Sequence, residues 1–501
     1  MKSISLVSGL LFCATLLAAQ YKYDYNWVFG FDFNDTLEGF ILRFNESPLQ
    51  IEQVQLEMTI QKSNASMSDA SGNLLFYTNG CDIADATHAI MENGDNINAG
   101  EVHEIQCVFG TGYTSGTQSC LALPLPGNPN LYYLFHKHIV YWSDPWDVAT
   151  DAILYTVVDR NGNNGLGSVI LKDQVALEDT LAFGEMTAVK HANGKDWWII
   201  THQWRKSDKF YQLLFTADGI ASVMEQQIGI PSLTDGSGSS QTAFSPDGTR
   251  FARVNVADQL WLFDFDRQTG ELSNFRYIWL DSLPGVVGCA FSPNSRFLYV
   301  NTRNYLYQFD MEASDIAASK ILIDTWDGYS DPLPAAFYRM QPGPDCRIYI
   351  NSTNSVKVLH VIREPDQPGK ACQFVQHDLK LPTQHLISIP HFPNYRLGTE
   401  YPVCDSNLAV SVQPVLFRPE VVLFPNPVRT GQVRYASSLP LSDEATILLY
   451  GLDGRFLRRW SIAPGQQEAV FSLEGVSGGM YFWSIKVHGK IMKSGKLVVM
   501  D

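Results

Sequence analysis

The 501 residues exceed any single small domain, and 45% hydrophobic with 18% charged residues excludes a mostly disordered chain. A formal net charge of −16 argues against nucleic-acid backbone as a partner. An aromatic fraction of 12%, with 37 Gly and 25 Pro, fits many short strands joined by turns better than long helices.

The first element is a transport label. Lys2 supplies a positive start, Leu6 to Leu17 an apolar run, and Ala18-Ala19 the small residues a signal peptidase needs. Residues 1–19 are therefore read as a signal peptide cleaved after Ala19. A lipoprotein would need a small residue before Cys13, where Phe12 stands. No other stretch approaches ~20 uninterrupted apolar residues, so no transmembrane segment is expected.

Beyond the signal peptide, turn-plus-strand units recur. Ala70-Ser71-Gly72-Asn73 precedes Leu74–Thr78, Pro126 to Asn130 precedes Leu131–Phe135, and Ala192 to Asp196 precedes Trp197–Thr201. The clearest unit is Ala243-Phe244-Ser245-Pro246-Asp247-Gly248, leading into Thr249–Asn255. It returns 47 residues later as Ala290-Phe291-Ser292-Pro293-Asn294-Ser295, and 50 residues after that as Met340 to Cys346. In such a turn Pro fixes φ, Asp caps the bend and Gly takes the positive φ. A strand–turn–strand period of ~40–50 residues is that of propeller blades. Phe297-Leu298-Tyr299-Val300 is apolar on both faces, as a strand packed between two other blades must be. Six units are visible, and Asn26–Asn34 paired with Ile389–Arg396 would complete a seventh from the chain ends. The expectation is an all-β chain: a β-propeller of about seven blades over 20–400, a linker over 401–421, and a small C-terminal β-sandwich over 422–501.

Several local signals invite a chemical reading. His136 and His138 lie two apart on a strand, so both imidazoles can share a face as a metal pair, although no third ligand is placed. Asp159, Asn161 and Asn163 before Gly165 resemble half a calcium loop, but the bidentate Glu is missing and a hairpin turn is favoured. Ser245 to Thr249 resembles the Asp-box of sialidase propellers, with Arg250 where that box has Trp; the box is in any case a turn. Trp142, Trp146, Trp197, Trp198 and Trp204 could stack sugars, with inter-blade core as the default. Seven cysteines remain after cleavage; Cys107 with Cys120 and Cys346 with Cys372 span hairpin-sized gaps, and buried free thiols are the equal alternative. There is no Cys-x-x-Cys, no Gly-x-Ser-x-Gly, no His-Glu-x-x-His and no phosphate loop, and no cofactor is expected.

Charge changes along the chain. From Phe424 onward nine Lys/Arg stand against six Asp/Glu, a net of +3, so the mature body before it carries −20. The break coincides with the Pro-punctuated stretch Tyr401 to Pro425.

Residues of about 25 to 395 resemble a group of secreted Bacteroidetes β-propeller proteins with WD40-like repeats. The matching stretches include Asn26 to Gly30, Ser68 to Gly80, Leu125 to Phe135, Val158 to Gly167, Thr187 to His202, Leu260 to Asn274 and Gln341 to Ile350. Cys81 to Cys120 departs from the pattern. This resemblance implies a fold and a location but no chemistry. The last eighty residues resemble the type IX secretion sorting domain. Three motifs carry that match: Phe424-Pro425-Asn426-Pro427, Leu449 to Arg455 with Gly454, and Gly478-Gly479-Met480-Tyr481 onward to Lys496 near the end. Tyr481, Trp483, Ile485 and Val487 should share one face, with Ser484 and Lys486 on the other. The resemblance implies recognition by the type IX outer-membrane translocon and its sorting peptidase, and a secreted or cell-surface body.

Two functions remain open. The favoured one is a non-enzymatic propeller that binds an extracellular protein or glycan through its loops. The alternative is a glycan-acting hydrolase or lyase with two carboxylates around the channel, roughly 5 to 9.5 Å apart.

Overall fold

The computed structural model describes residues 21–31, 37–45, 48–107, 112–113, 116–141, 148–204, 206–233, 239–280, 285–409, 421–437, 441, 443–452, 454–487 and 490–500. The expected signal peptide, Trp142, Trp146, Asn34, Asp453 and residues 410–420 of the expected linker lie outside them. The chain divides into two units, residues 1–415 and 416–501. No helix among the described residues is long and apolar enough to cross a membrane.

Among the described residues the first unit is built of seven antiparallel sheets, five of four strands and two of three, each a meander in chain order. This is the organisation of a seven-bladed propeller. Blade 1 spans residues 26–55, blade 2 65–85, blade 3 120–181, blade 4 187–227, blade 5 241–278, blade 6 287–325 and blade 7 337–386. Blades 1 and 2 are the three-stranded ones; a lone bridge from Ala84 to Ile90 stands where blade 2 lacks a fourth strand.

All six turns read from the sequence join the first and second strands of blades 2 to 7. Their chemistry repeats. Asp247 Oδ1 accepts from Thr249 N at 3.0 Å and from Ser245 Oγ at 2.5 Å, while Ser245 Oγ accepts from Arg250 N at 3.0 Å. In the next blade Asn294 Oδ1 accepts from Arg296 N at 3.0 Å and from Ser292 Oγ at 2.7 Å, and Ser292 Oγ accepts from Phe297 N. The left-handed position falls on Gly248, then Ser295, then Cys346. The looser look of the later copies is therefore a change of residue in an unchanged turn.

Each second strand is buried along its length: Trp197–His202, Phe297–Thr302 and Ile348–Ser352 have no exposed residue. A single sheet could not bury both of its faces, so blades must stack on one another. First strands lie side by side around the axis. Between blades 6 and 7 the approach is close enough that a Cβ at Gly288 would sit 2.2 Å from Tyr338 O. The ring closes where Phe374–Leu386 of blade 7 meets blade 1, with Trp27 against Tyr349 and Phe29 against His385.

Closure does not use the pairing expected from the sequence. Asn26–Phe29 pairs with Glu38–Arg43 inside blade 1, and Ile389–Arg396 joins no sheet. The Pro-punctuated composition of Ile389 to Arg396 suits a segment running through the channel better than a strand, because two prolines remove ladder donors. The cysteine pairings also differ from those favoured: Cys81 bonds Cys107 and Cys346 bonds Cys404, leaving Cys120, Cys289 and Cys372 as buried thiols. Of the stretch read as a linker, residues 401–409 are held to the propeller through Cys404, the Asp405 amide on Pro344 O and Val403 O on Arg396.

The second unit has two antiparallel sheets. One holds Val421–Phe424, Gln432–Ser437 and Glu468–Ser472; the other holds Phe456–Ile462, Ala445–Tyr450, Gly479–Val487 and Lys490–Val499. They share one core of Leu423, Val433, Tyr435, Ile447, Leu449, Trp483, Ile485 and Leu497. Tyr481 and Val487 pack at its border, so the alternation along this strand is as read.

Candidate functional site

The sites flagged by sequence have structural roles. His136 is buried, with Nδ1 2.7 Å from Asn98 Oδ1 and Nε2 3.0 Å from Thr156 Oγ1, and burial pulls its pKa down to about 4. His138 pairs with Asp151 Oδ1 at 2.7 Å, which holds its pKa above the ordinary value. Each imidazole thus has its own partners, and the pair does not form a metal site. Asp159 Oδ1 caps its turn by accepting from Asn161 N, as the hairpin reading required. Trp197, Trp198 and Trp204 are buried, so none offers a sugar platform. The sulfurs of Cys81 and Cys107 lie near His103, but the disulfide has spent both as thiolate ligands.

In the second unit, the motif residues hold the fold together. Asn426 donates Nδ2 to Lys496 O and accepts from Val498 N, both at 2.9 Å, so the first and last motifs meet through one amide. Pro425 and Pro427 flank it after the first strand. Gly454 takes φ +76° in the turn before Phe456–Ile462. Gly479 opens the strand on which Tyr481 donates its hydroxyl to Ser477 O at 2.6 Å.

The central channel carries groups with no sequence signal. At the end where first strands begin, here called the mouth, side-chain amides cross the axis. Gln118 Nε2 donates to Thr242 O, and its Oε1 accepts from Thr242 N, both at 2.8 Å. Gln241 Nε2 donates to Met340 O, and its Oε1 accepts from Met340 N and Cys289 N. Blades 3, 5, 6 and 7 are thereby laced together. Gln118 and Gln241 sit beside first strands in no recognisable motif, and only the topology brings them to one axis.

Below this lacing the propeller's own tail runs through the channel. His391 lies 3.0 Å from Gln118 Nε2 and 3.0 Å from Thr187 Oγ1. Burial, then the charge of Arg339, pulls its pKa down to about 3. Asn394 donates to Pro246 O, and Tyr395 donates its hydroxyl to Ala122 O. Arg396 forks onto Asp24 at 2.7 and 2.8 Å. The free volume left beside the tail is about 80 Å³. That is room for ordered water or a small polar group beside the tail.

Beside the mouth lies a buried ion cluster. Arg253 holds Glu185 at 2.6 Å and Asp258 at 2.9 Å. Burial pushes the Glu185 carboxyl up, but Arg253 prevails and brings it to about 2. Lys137 donates to Ala182 O, Gly184 O and Thr201 Oγ1, and burial brings its pKa down to about 7. His202, pulled to about 3 by burial and by Arg253, completes the cluster.

No family model matches the sequence, and no curated protein matches it. Solved structures similar to the chain include a 6-phosphogluconolactonase candidate from Bacteroides fragilis, 10% identical, covering 72% of this chain and 97% of that one, with a TM-score of 0.42. They also include the dihydro-heme d1 dehydrogenase NirN, 8% identical over 90% of this chain and 75% of that one, TM-score 0.38. A third is Sqt1 of Saccharomyces cerevisiae, 8% identical over 83% of this chain and 93% of that one, TM-score 0.36. These likenesses concern the propeller fold, and no function is carried over from them.

Proposed function

We propose that this is a secreted or cell-surface binding protein: a β-propeller that presents its loops to an extracellular protein or glycan, followed by a β-sandwich that serves as the type IX sorting signal. The observation that carries the binding reading is the occupied channel. His391, Asn394 and Arg396 of the tail run through the channel on their own hydrogen bonds, and the mouth's Glu185 is committed to Arg253. A glycosidase needs two free carboxylates on either side of a sugar. Two disulfides fit an oxidising compartment. The sorting reading rests on Asn426, which ties the Pro425–Pro427 motif to the Lys496 strand.

A glycan and cell-surface-protein array probed with the full chain, run beside a hydrolysis screen on the same glycans, tests the body. Saturable capture without product is the expected outcome, and turnover would overturn the reading. For the tail domain, a chain lacking residues 422–501 should accumulate in the periplasm, and undiminished surface display would overturn the sorting reading.

A further inference from the structure

Three arginines are buried among the described residues: Arg253, Arg339 and Arg396. Two have carboxylates. Arg253 holds Glu185 and Asp258, and Arg396 holds Asp24. Arg339, 1% exposed, has none. Its Nη2 reaches Lys62 O at 3.5 Å, its guanidinium lies beside Tyr338 and interacts with that side chain, and its Nε has no hydrogen-bond partner. A guanidinium carries five N–H donors, and a buried one without a counter-charge is strongly disfavoured. Lys62, whose backbone carbonyl meets Arg339, is a second cation: burial first, and then the charge of Arg339, holds its pKa below the ordinary value.

We propose that Arg339 and Lys62 form an oxyanion site at the channel mouth, and that it receives a carboxylate or sulfate group of the bound ligand. Arg339 supplies the fixed fork, with Nε–H free to donate. Lys62 is only partly buried, so the site reaches solvent on its side. Among the described residues of the mouth, Glu185 and Asp258 are taken up by Arg253, and Arg339 and Lys62 stand without a carboxylate in a body whose net charge is −20. Polyanions are repelled at long range, whereas at contact distance, inside a Debye length of about 8 Å, the two cations dominate. The site therefore selects a small, singly charged group on an otherwise neutral ligand. This deepens the binding reading and rests on it for the rest of the ligand.

The test is a thermal-shift titration of the full chain with sodium glucuronate, acetate and sulfate, against sodium chloride at matched ionic strength. Wild type should show a saturable upward shift. Arg339→Met and Lys62→Met should each weaken the apparent affinity, the former by roughly 30-fold or more. General salting effects of sulfate persist in both variants and so drop out of the comparison. In chloride alone Arg339→Met should be at least as stable as wild type, because it removes an uncompensated charge. An identical shift in all three proteins, or marked instability of Arg339→Met in chloride, overturns the site; Lys62→Met, on a partly exposed residue, keeps the test open if Arg339→Met fails to fold. Glucuronate binding without acetate or sulfate binding would assign the anion to a sugar acid. Array ligands bound equally by Arg339→Met overturn this site and leave the binding reading standing, whereas a Met-sensitive anion shift with an empty array does the reverse.

Discussion

Replacing Asp24 with Asn tests how the tail is held. In the native protein Arg396 makes two charge-assisted hydrogen bonds to Asp24, 2.7 and 2.8 Å long, and both residues are under a tenth exposed. Arg396 also donates Nε to Val403 O and Nη1 to Tyr21 O, so its head cannot swing to water without giving up those contacts. Asp24→Asn keeps the shape and strands the guanidinium charge. Breaking a buried pair from one side costs about 3–5 kcal/mol. Unfolding entropy of about 2.1 cal/mol/K per residue, over a body of about 390 residues, makes each kcal/mol worth about 1.2 °C. The melting temperature should therefore fall by roughly 4–6 °C. The double variant Asp24→Leu, Arg396→Met should recover much of that loss, since it removes both charges. Differential scanning calorimetry of the full chain reads both. A loss below about 1 °C in the single variant would refute the argument that the tail is an integral part of the ring.

The remaining predictions use the same assays. Cys404→Ser opens a loop of 58 residues and should cost about 4 kcal/mol by chain entropy, measured by denaturant unfolding without reductant. Gly248→Ala should destabilise by roughly 1–3 kcal/mol, because the new Cβ sits at φ +73° and 2.6 Å from Arg267 Cδ. At the matching turn, Ser295→Gly relieves a φ of +63° but gives up the bond from Asp247 N to Ser295 Oγ at 3.1 Å, so it should stay within about 1 kcal/mol of wild type, and a loss larger than that of Gly248→Ala would refute the shared-turn reading. Five buried histidines, His136, His202, His360, His385 and His391, have folded pKa values of about 3 to 4, below the ordinary 6.5. The unfolded chain then binds more protons, so stability present above pH 6.5 is lost as pH falls toward 4. Each contributes on the order of 1 kcal/mol per pH unit in that window. His391→Gln should flatten the slope of stability against pH, measured by denaturant titrations at pH 4.5 to 7.

The propeller was legible because its turns are written in local chemistry. Ser-Pro-Asp-Gly states φ, cap and bend in adjacent residues, and even Asp345-Cys346 kept enough of it to be recognised. The number of blades is as expected, but the closing strand is not Ile389 to Arg396, whose two prolines remove ladder donors and outweigh its few apolar residues. The buried-thiol alternative holds at Cys120, Cys289 and Cys372, whereas the two favoured pairings fail because Cys404 lies 58 residues from Cys346 and only the return of the tail to the ring brings them together. The cluster at the mouth was invisible. Gln118, Glu185, Gln241 and Arg339 come from four blades, tens of residues apart, and nothing local marks any of them. Their shared place is a product of ring geometry. In the second unit the motif residues were found, but their reason was not: that Asn426 joins residues 70 positions away is a tertiary fact.

The tail latch also sets how the molecule carries mechanical load. A pull on the chain from beyond residue 409 meets the Cys404 disulfide first, which hands the force to the turn of blade 7 at Cys346. The segment between these cysteines, with the later strands of the last sheet and the Arg396 fork on Asp24, lies inside a covalently closed loop that the force bypasses. Tension therefore enters at a turn between two strands instead of peeling the last strand from its sheet, and the outer strand of blade 7 is shielded for as long as the disulfide is intact.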